Sequence, residues 1–373
     1  MIKRTLLDIL RRRMFTGKAI VLIGARQTGK TTLLRELTKG EEGLLWFNAD
    51  DLDVRQRFDT ITVARLQTLL SRSRIVVVDE AQRIENVGLK MKLITDNFPD
   101  KQLILTGSSS FDLANKINEP LTGRKWEYKL FPLSCAEIEG HYGDYEMQRQ
   151  LVNRLIYGSY PDVVTHPEDA RDILTQLTNS YLYKDILEWE RVKRPDRLVR
   201  LLQALALQVG SEVSYNELAQ LLNLDRATVE RYLTLLEQTQ VIFRLPSFSR
   251  NLRNELKASR KIYFYDNGIR NALIGNFTDM EMRQDAGQLW ENYMIGELIK
   301  KRAYEGAVCN TYFWRTTQQQ EIDYIEERDG KLTAYEFKWN PIKRAKLNIT
   351  FAKAYPNADF AVINRDNYSE FLL

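Results

Sequence analysis

Gly24-Ala25-Arg26-Gln27-Thr28-Gly29-Lys30-Thr31-Thr32 decides how this chain is read. It follows the apolar run Ala19–Ile23 and precedes Leu33-Leu34-Arg35-Glu36-Leu37, where leucines recur at helical spacing. A strand, a tight glycine loop and a helix are expected in that order. Gly24, Gly29, Lys30 and Thr31 stand at the spacing of a phosphate-binding loop, and the residue types have a physical reason. Glycines let backbone N–H groups close around phosphate oxygens, while the positive end of the following helix faces the anion. The nine residues from Gly24 to Thr32 are therefore the candidate ATP-binding loop. Lys30 supplies charge to the β/γ-phosphates, and the Thr31 hydroxyl is placed to ligate Mg²⁺.

The rest of the chain bounds what this loop serves. At 373 residues, two to four domains are expected. A hydrophobic content of 44% with 28% charged residues excludes a disordered chain. The net charge of +4 permits a nucleic-acid partner without requiring one. Cys135 and Cys309 lie far apart with no metal-ligand spacing, so reduced thiols and a cytoplasmic location are expected. No apolar run is long enough to span a bilayer, and Met1-Ile2-Lys3-Arg4 is not followed by a signal-type apolar core. Residues 1–18 alternate leucines with Arg11-Arg12-Arg13 and Lys18, as an amphipathic helix does; these cations are either a solvated face or a DNA-facing one.

Further strands are expected at Leu44–Asn48, Ile75–Asp79, Gln102–Thr106 and Trp126–Leu130, with a helix over Ala64–Leu70. The β-branched run at Ile75 ends in Asp79-Glu80. Asp79, at a strand's C-terminal end, suits the Mg²⁺ shell, and Glu80 beside it suits activation of the water that attacks the γ-phosphate. Thr106 and Ser108 put hydroxyls at the same sheet edge, where either one senses the γ-phosphate or the segment is simply a Gly/Ser turn. Arg124, on a loop before the fifth strand, is a candidate arginine finger acting on a neighbouring subunit's nucleotide, or an ordinary surface arginine.

The phosphate loop, Val76-Val77-Val78-Asp79-Glu80-Ala81-Gln82, Leu105-Thr106-Gly107-Ser108-Ser109 and Leu121-Thr122-Gly123-Arg124 together resemble a bacterial and archaeal group of AAA+ ATPases. Members join the ATPase to a C-terminal domain of undefined function. The resemblance implies an α/β sheet with the loop strand near its centre, nucleotide at subunit interfaces, and a homo-oligomer such as a ring. It assigns family roles to Lys30, Thr31, Asp79 and Glu80, with a sensor at Thr106 or Ser108.

Residues 145–207 carry a mainly helical pattern interrupted at Gly158-Ser159-Tyr160-Pro161-Asp162, as expected of a lid packed beside the nucleotide domain. Ser214-Tyr215-Asn216-Glu217 is a capping box that opens a helix, and Asp225 can cap the next, Arg226–Gln238. Strand-like Val241–Phe243 and Lys261–Tyr265 follow, joined by a basic connection. Two helices across a tight turn and then a hairpin make a winged helix-turn-helix. Candidate DNA contacts are Arg226 and Arg231 on the second helix, with Thr228, and Arg250, Arg253, Lys257 and Arg260 on the wing. Packing as a protein module is the competing use of such a fold.

The last hundred residues hold a second constellation. A helix over Gly287–Arg302 carries Glu291 and Glu297; a strand then contains Asp323, and after a turn at Arg328–Lys331 another holds Glu336 and Lys338. Glu336 and Lys338 project to one side because side chains alternate along a strand. This order, closed by an expected helix at 343–354 with Lys343, Arg344 and Lys346, resembles the PD-(D/E)xK nuclease superfamily. The resemblance implies a divalent-metal site for phosphodiester cleavage at Glu291 or Glu297 with Asp323, Glu336 and Lys338. A wet sheet face without catalysis has the same pattern.

The expected organisation is an AAA+ core at 1–140, a helical lid at 141–207, a winged helix at 208–266 and a restriction-endonuclease-like α/β domain at 267–373. The expected activity is Mg²⁺-dependent ATP hydrolysis in an oligomer, coupled to DNA binding or processing. The alternative is a nucleotide-controlled switch or scaffold that binds protein through an inactive nuclease-like domain. No membrane partner is expected.

Overall fold

The computed structural model describes residues 1–107, 117, 120–181, 195–249 and 260–373. Ser108, Arg250, Arg253 and Lys257 lie outside the described residues. The chain divides into two compact units, one of Met1–Pro132 with Gln238–Gln240 and one of Leu133–Glu237 with Val241–Leu373.

The first unit is built on a five-stranded, wholly parallel sheet in the order β2-β3-β4-β1-β5. Its strands are β1 (Ala19–Gly24), β2 (Leu44–Asn48), β3 (Ile75–Asp79), β4 (Gln102–Gly107) and β5 (Lys125–Leu130). β1, β3 and β4 are buried along their whole length, which is why their sequences are continuous apolar runs rather than alternating ones. Phe47, Phe58, Leu66, Leu70, Val76, Val78, Met91 and Ile94 fill one core cluster over this sheet. Helix α1 (Thr5–Arg13) buries Leu6, Leu7 and Leu10, and helix α2 (Lys30–Leu37) buries Leu33, Leu34 and Leu37. The loop strand β1 thus lies inside the sheet, between β4 and β5.

The second unit has a four-stranded sheet in the order β11-β10-β9-β8, antiparallel except for β10 with β11. These strands are β8 (Asn310–Arg315), β9 (Glu321–Arg328), β10 (Lys331–Lys338) and β11 (Asp359–Asn364). A separate antiparallel pair, β6 (Ile242–Pro246) with β7 (Arg260–Phe264), follows two helices, α3 (Tyr215–Leu222) and α4 (Arg226–Gln238). Ser214 accepts from the Glu217 amide and Asp225 from the Thr228 amide, as the capping signals require.

The expected boundaries at 207 and 266 are not seams between compact bodies. Phe248, just after β6, packs with Trp314 and Ile322 of the four-stranded sheet and with Phe351 of the helix Ile349–Ala354, and its amide donates to the Phe313 carbonyl at 2.6 Å. The helix Leu151–Tyr157, expected in a lid, shares its core with the C-terminal segment instead. Asn267 and Asn271 donate to the Leu155 carbonyl, and Asn271 also to Ile156 at 2.8 Å. Gly268 permits this approach, since a Cβ there would stand 2.1 Å from the Tyr157 carbonyl oxygen. The long helix α5 (Ala286–Glu305) is tied to β7 by Asn292, which accepts from the Phe264 amide at 2.7 Å and donates to its carbonyl at 3.0 Å. The helix expected at 343–354 forms only over Ile349–Ala354; Lys343, Arg344 and Lys346 precede it in irregular backbone that follows Pro341.

Cys135 and Cys309 are both free. No helix among the described residues is long and apolar enough to cross a membrane. At the end of β1, a Cβ on Gly24 would stand 2.5 Å from the Leu130 carbonyl oxygen. Gly24→Ala is therefore expected to lower the unfolding free energy by about 1–3 kcal/mol in urea titrations, and an unchanged midpoint would mean that β5 yields freely.

Candidate functional site

Parallel pairing brings the C-terminal ends of β1, β3 and β4 to one sheet edge, and the candidate nucleotide residues gather there. The loop after β1 departs from ordinary backbone at two positions. Gln27 has φ +57° and Gly29 has φ +92°, so the chain turns sharply before helix α2 starts at Lys30. The buried Thr28 hydroxyl donates to the Ala25 carbonyl at 2.7 Å and stiffens the turn. Lys30 is buried, and its ammonium donates to the carbonyls of Gly24 (2.9 Å) and Ala25 (3.1 Å), so its charge is held within the loop. Arg26 is half-buried, and Gln27 and Thr32 are exposed.

Asp79 is the hub of this edge. The Thr31 hydroxyl donates to Asp79 Oδ2 at 2.9 Å, and the buried Thr106 hydroxyl donates to Oδ1. The Glu80 amide donates to the same Thr106 oxygen at 3.0 Å. Glu80 has φ +54° and ψ +39°, a left-handed conformation that turns it away from the line of the strand, and its carboxylate accepts from Gln82 Nε2 at 2.6 Å. Thr31, Asp79, Glu80 and Thr106 are thus brought together as the sequence pattern implies. The Thr31 hydroxyl and the Asp79 carboxylate are adjacent hard oxygen donors at the start of the loop helix, a donor set that suits Mg²⁺.

Arg4 also supports this site, and sequence reading missed it. Its guanidinium is buried and donates to the Thr28 carbonyl at 2.7 Å and to the Phe131 carbonyl at 2.6 Å, clamping the phosphate loop to the end of β5. An arginine in a basic N-terminal stretch carries no local signal of this role. Arg124 stands just before β5, at the sheet edge opposite the loop, and forms an ion pair with Asp96 at 2.6 Å. Among the described residues it meets none of the other nucleotide residues of its own chain.

In the second unit, Glu336 Oε2 accepts from Lys338 at 2.6 Å, while Asp323 Oδ2 accepts from the Phe337 amide at 2.8 Å and faces Lys338 at 3.5 Å. Burial and the negative charge of Asp323 push the Glu336 carboxyl up to about 7. The two helix glutamates have different surroundings. Glu297 is turned to the Cys135 amide (2.7 Å) and Lys300 (2.7 Å), whereas Glu291 is close enough to Asp323 to be influenced by its charge.

Glu291 has its own cation. Lys261, from β7, reaches Glu291 at 3.2 Å and ion-pairs with Glu321, and the Tyr263 hydroxyl donates to Glu291 at 2.5 Å. Burial pushes the Glu291 carboxyl up to about 7, with Asp323 adding to it against the pull of Lys261. Burial also works against the Lys261 charge, but Glu291 and Glu321 outweigh it and raise that group. No group of three His, Cys, Asp or Glu side chains that could hold a metal ion occurs among the described residues. Lys261 and Lys338 pair with the carboxylates of this cluster.

The candidate DNA contacts divide in the same way. Arg226 and Arg231 are exposed on α4, but five residues apart they are rotated by about 140° and do not share one face. Thr228 is engaged in the cap, its hydroxyl donating to Asp225 at 2.6 Å. Arg260 is half-buried at the start of β7.

Comparison with known proteins agrees with the geometry of the first unit. Residues 16–139 match the family described as AAA domain. The first unit carries an AAA-type, P-loop ATPase-like domain. Residues 148–280 and 286–370 match two families described as domains of unknown function, DUF8612 and DUF4143. An uncharacterised protein of Mycobacterium tuberculosis is 27% identical over 88% of this chain and 72% of its own length. One of Haemophilus influenzae is 26% identical over 84% of this chain and 80% of its own. The Walker-type ATPase of Pyrococcus abyssi superposes with a TM-score of 0.50 at 15% identity, covering 73% of this chain and 96% of that one, which is a likeness of fold.

Removing the cation that neutralises the buried carboxylates of the second unit has a direct cost. Lys261→Met is expected to destabilise that unit by about 3–5 kcal/mol because it leaves Glu291 buried without its ion-pair partner. Lys261→Met/Glu291→Gln should recover part of the loss in urea titrations, and equal stability of parent and Lys261→Met would show that the pair is not structural.

Proposed function

We propose that this protein binds and hydrolyses ATP at the edge formed by the phosphate loop, Asp79, Glu80 and Thr106, with Mg²⁺ held by Thr31 and Asp79. The observation that carries the reading is the Asp79 carboxylate joined at one oxygen to Thr31 of the loop helix and at the other to Thr106 of β4. Mg²⁺, when bound there, offsets charge on the β- and γ-phosphates. The loop amides and Lys30 bind the phosphates, which requires the Lys30 ammonium to leave the Gly24 and Ala25 carbonyls. Glu80 orients a water molecule and takes its proton as the water oxygen attacks the γ-phosphorus and the bond to the β–γ bridging oxygen breaks. Thr106 keeps Asp79 and the Glu80 backbone in register during this step. In an oligomer, Arg124 lies on the edge away from its own nucleotide and serves as the finger for a neighbour's.

The nucleotide cycle, in this reading, is coupled to DNA binding or processing through the second unit. Helices α3 and α4 followed by the β6–β7 pair, with a further bridge between Glu212 and Lys261, have the succession of a winged helix. One observation favours the scaffold alternative for the carboxylate sheet: Lys261 and Lys338 satisfy its acids internally. The sheet then binds without cutting.

Two sets of variants test these readings. Lys30→Ala should abolish nucleotide binding or turnover, while Glu80→Gln should retain ATP and lower turnover by about 10²–10⁴-fold; hydrolysis at the parent rate by Glu80→Gln would remove Glu80 from its role. Plasmid incubated with Mg²⁺ or Mn²⁺ should stay as intact with the parent as with Asp323→Ala and Lys338→Ala. Nicking by the parent that both variants lose would restore the nuclease reading.

A further inference from the structure

The sheet of the first unit has a second edge, away from its own nucleotide, that also carries Arg124. Because β1, β3, β4 and β5 are parallel, their starting residues Ala19, Ile75, Gln102 and Lys125 lie together, one strand length or roughly 20 Å from the phosphate loop. The basic segment after helix α1 folds over this edge. Arg13 and Lys18 stand 4.2 and 4.3 Å from the centroid of the Trp126 ring, and Arg74 stands 4.5 Å from that of Phe15. Such stacking holds long cationic side chains in place and lowers the entropy lost when they bind an anion.

The backbone is shaped to present these groups. Phe15 has φ +57°, an unfavourable conformation for a bulky residue, and the residue is 41% exposed although it is aromatic. Buried Gln102 holds the bend, accepting from the Phe15 amide at 2.6 Å and donating to the Lys18 carbonyl at 3.1 Å. The Trp126 indole donates to the Thr16 hydroxyl at 3.1 Å. Backbone strain kept at an exposed aromatic is the mark of a segment selected for something other than stability.

Charge at this edge is one-sided. Asp8 is engaged by Lys3 and Arg11, Glu127 by Lys125, and Asp100 lies beside Lys101. Arg74 has Glu41 only at 4.0 Å, and Arg12, Arg13 and Lys18 form no ion pair among the described residues. Clustered cations interleaved with aromatic rings are the arrangement that takes a single nucleic-acid strand, cations meeting phosphates and rings meeting bases.

We propose that this edge is a binding face for single-stranded nucleic acid, with Arg12, Arg13 and Lys18 on the phosphates and Phe15 against the bases. The residues of this face belong to the first unit, whereas Arg226, Arg231 and the carboxylate sheet belong to the second, so the proposal stands whether or not those act on DNA.

The test is fluorescence anisotropy of the full-length protein with labelled single-stranded DNA, single-stranded RNA and duplex DNA across about 50 to 200 mM salt. Arg12→Ala/Arg13→Ala/Lys18→Ala should weaken single-strand binding by about tenfold or more and reduce the slope of log affinity against log salt by about two to three. Phe15→Ala should weaken single-strand binding by about tenfold and leave duplex binding nearly unchanged. Arg12→Glu, at an exposed side chain, repeats the charge test if the triple variant does not fold. An Arg226→Ala/Arg231→Ala variant should keep single-strand binding. Unchanged affinity and slope in the triple variant and in Arg12→Glu would overturn the proposal, as would single-strand binding carried by Arg226 and Arg231. So would a face that binds phosphatidylserine vesicles and no oligonucleotide.

Discussion

The first unit is organised around one carboxylate. Asp79 ends β3, and its two oxygens accept from hydroxyls on different elements, Thr31 at the start of the loop helix and Thr106 near the end of β4. A buried carboxylate is costly unless hydrogen-bonded, so the pairings that satisfy Asp79 also fix three elements to one another. The ladder makes this possible. β3 pairs in parallel with β4, and β4 with β1, so the C-terminal ends of all three arrive at the same edge. A shift of one residue in β4 would turn Thr106 to the other face of the sheet and leave Asp79 with one partner instead of two.

The second unit solves the same problem with opposite chemistry. Its acids are neutralised by ammonium groups rather than hydroxyls, Lys338 between Glu336 and Asp323, and Lys261 between Glu291 and Glu321. Lys261 comes from the two-stranded pair and Glu321 from the four-stranded sheet, so this ion pair and the packing of Phe248 on Trp314 and Phe351 hold the two sheets in one body. The hydrophobic contact supplies area, and the ion pairs fix position. That is why the chain between 208 and 373 does not separate at the boundary its element pattern suggests.

What could be read from sequence was what is local. The phosphate loop, the Asp79-Glu80 strand end and the Asp225 cap each lie within about ten residues, and their spacing carries the chemistry. Thr106 was readable because it ends an apolar strand. Arg4 and Lys261 were not. Each acts on residues far away in the chain, Arg4 on Phe131 and Lys261 on Glu291 and Glu321, and a lone cation in a basic or β-branched stretch has no periodicity that reports its partner. The helices of 145–177 were legible as helices, but the face each would bury was not, because Asn267 and Asn271, which bind the helix Leu151–Tyr157, lie more than a hundred residues later. At 343–348 the basic residues suggested a helix face, whereas Pro341 and the cap at Asn348 delay the start to Ile349.

Glu80 shows how strain completes the site. A left-handed backbone at a residue with a Cβ costs on the order of 1–3 kcal/mol, and something must hold it there. The restraint is on both sides: the Glu80 amide is bound to Thr106, and the next turn, Ala81–Arg83, leads into fully buried Ile84 and Val87. Had Glu80 continued the strand, its side chain would have pointed to the face opposite Asp79, because side chains alternate along a strand. The left-handed turn breaks that alternation. The two adjacent carboxylates are thereby held differently, Asp79 by the hydroxyls of Thr31 and Thr106 and Glu80 by the Gln82 side-chain amide.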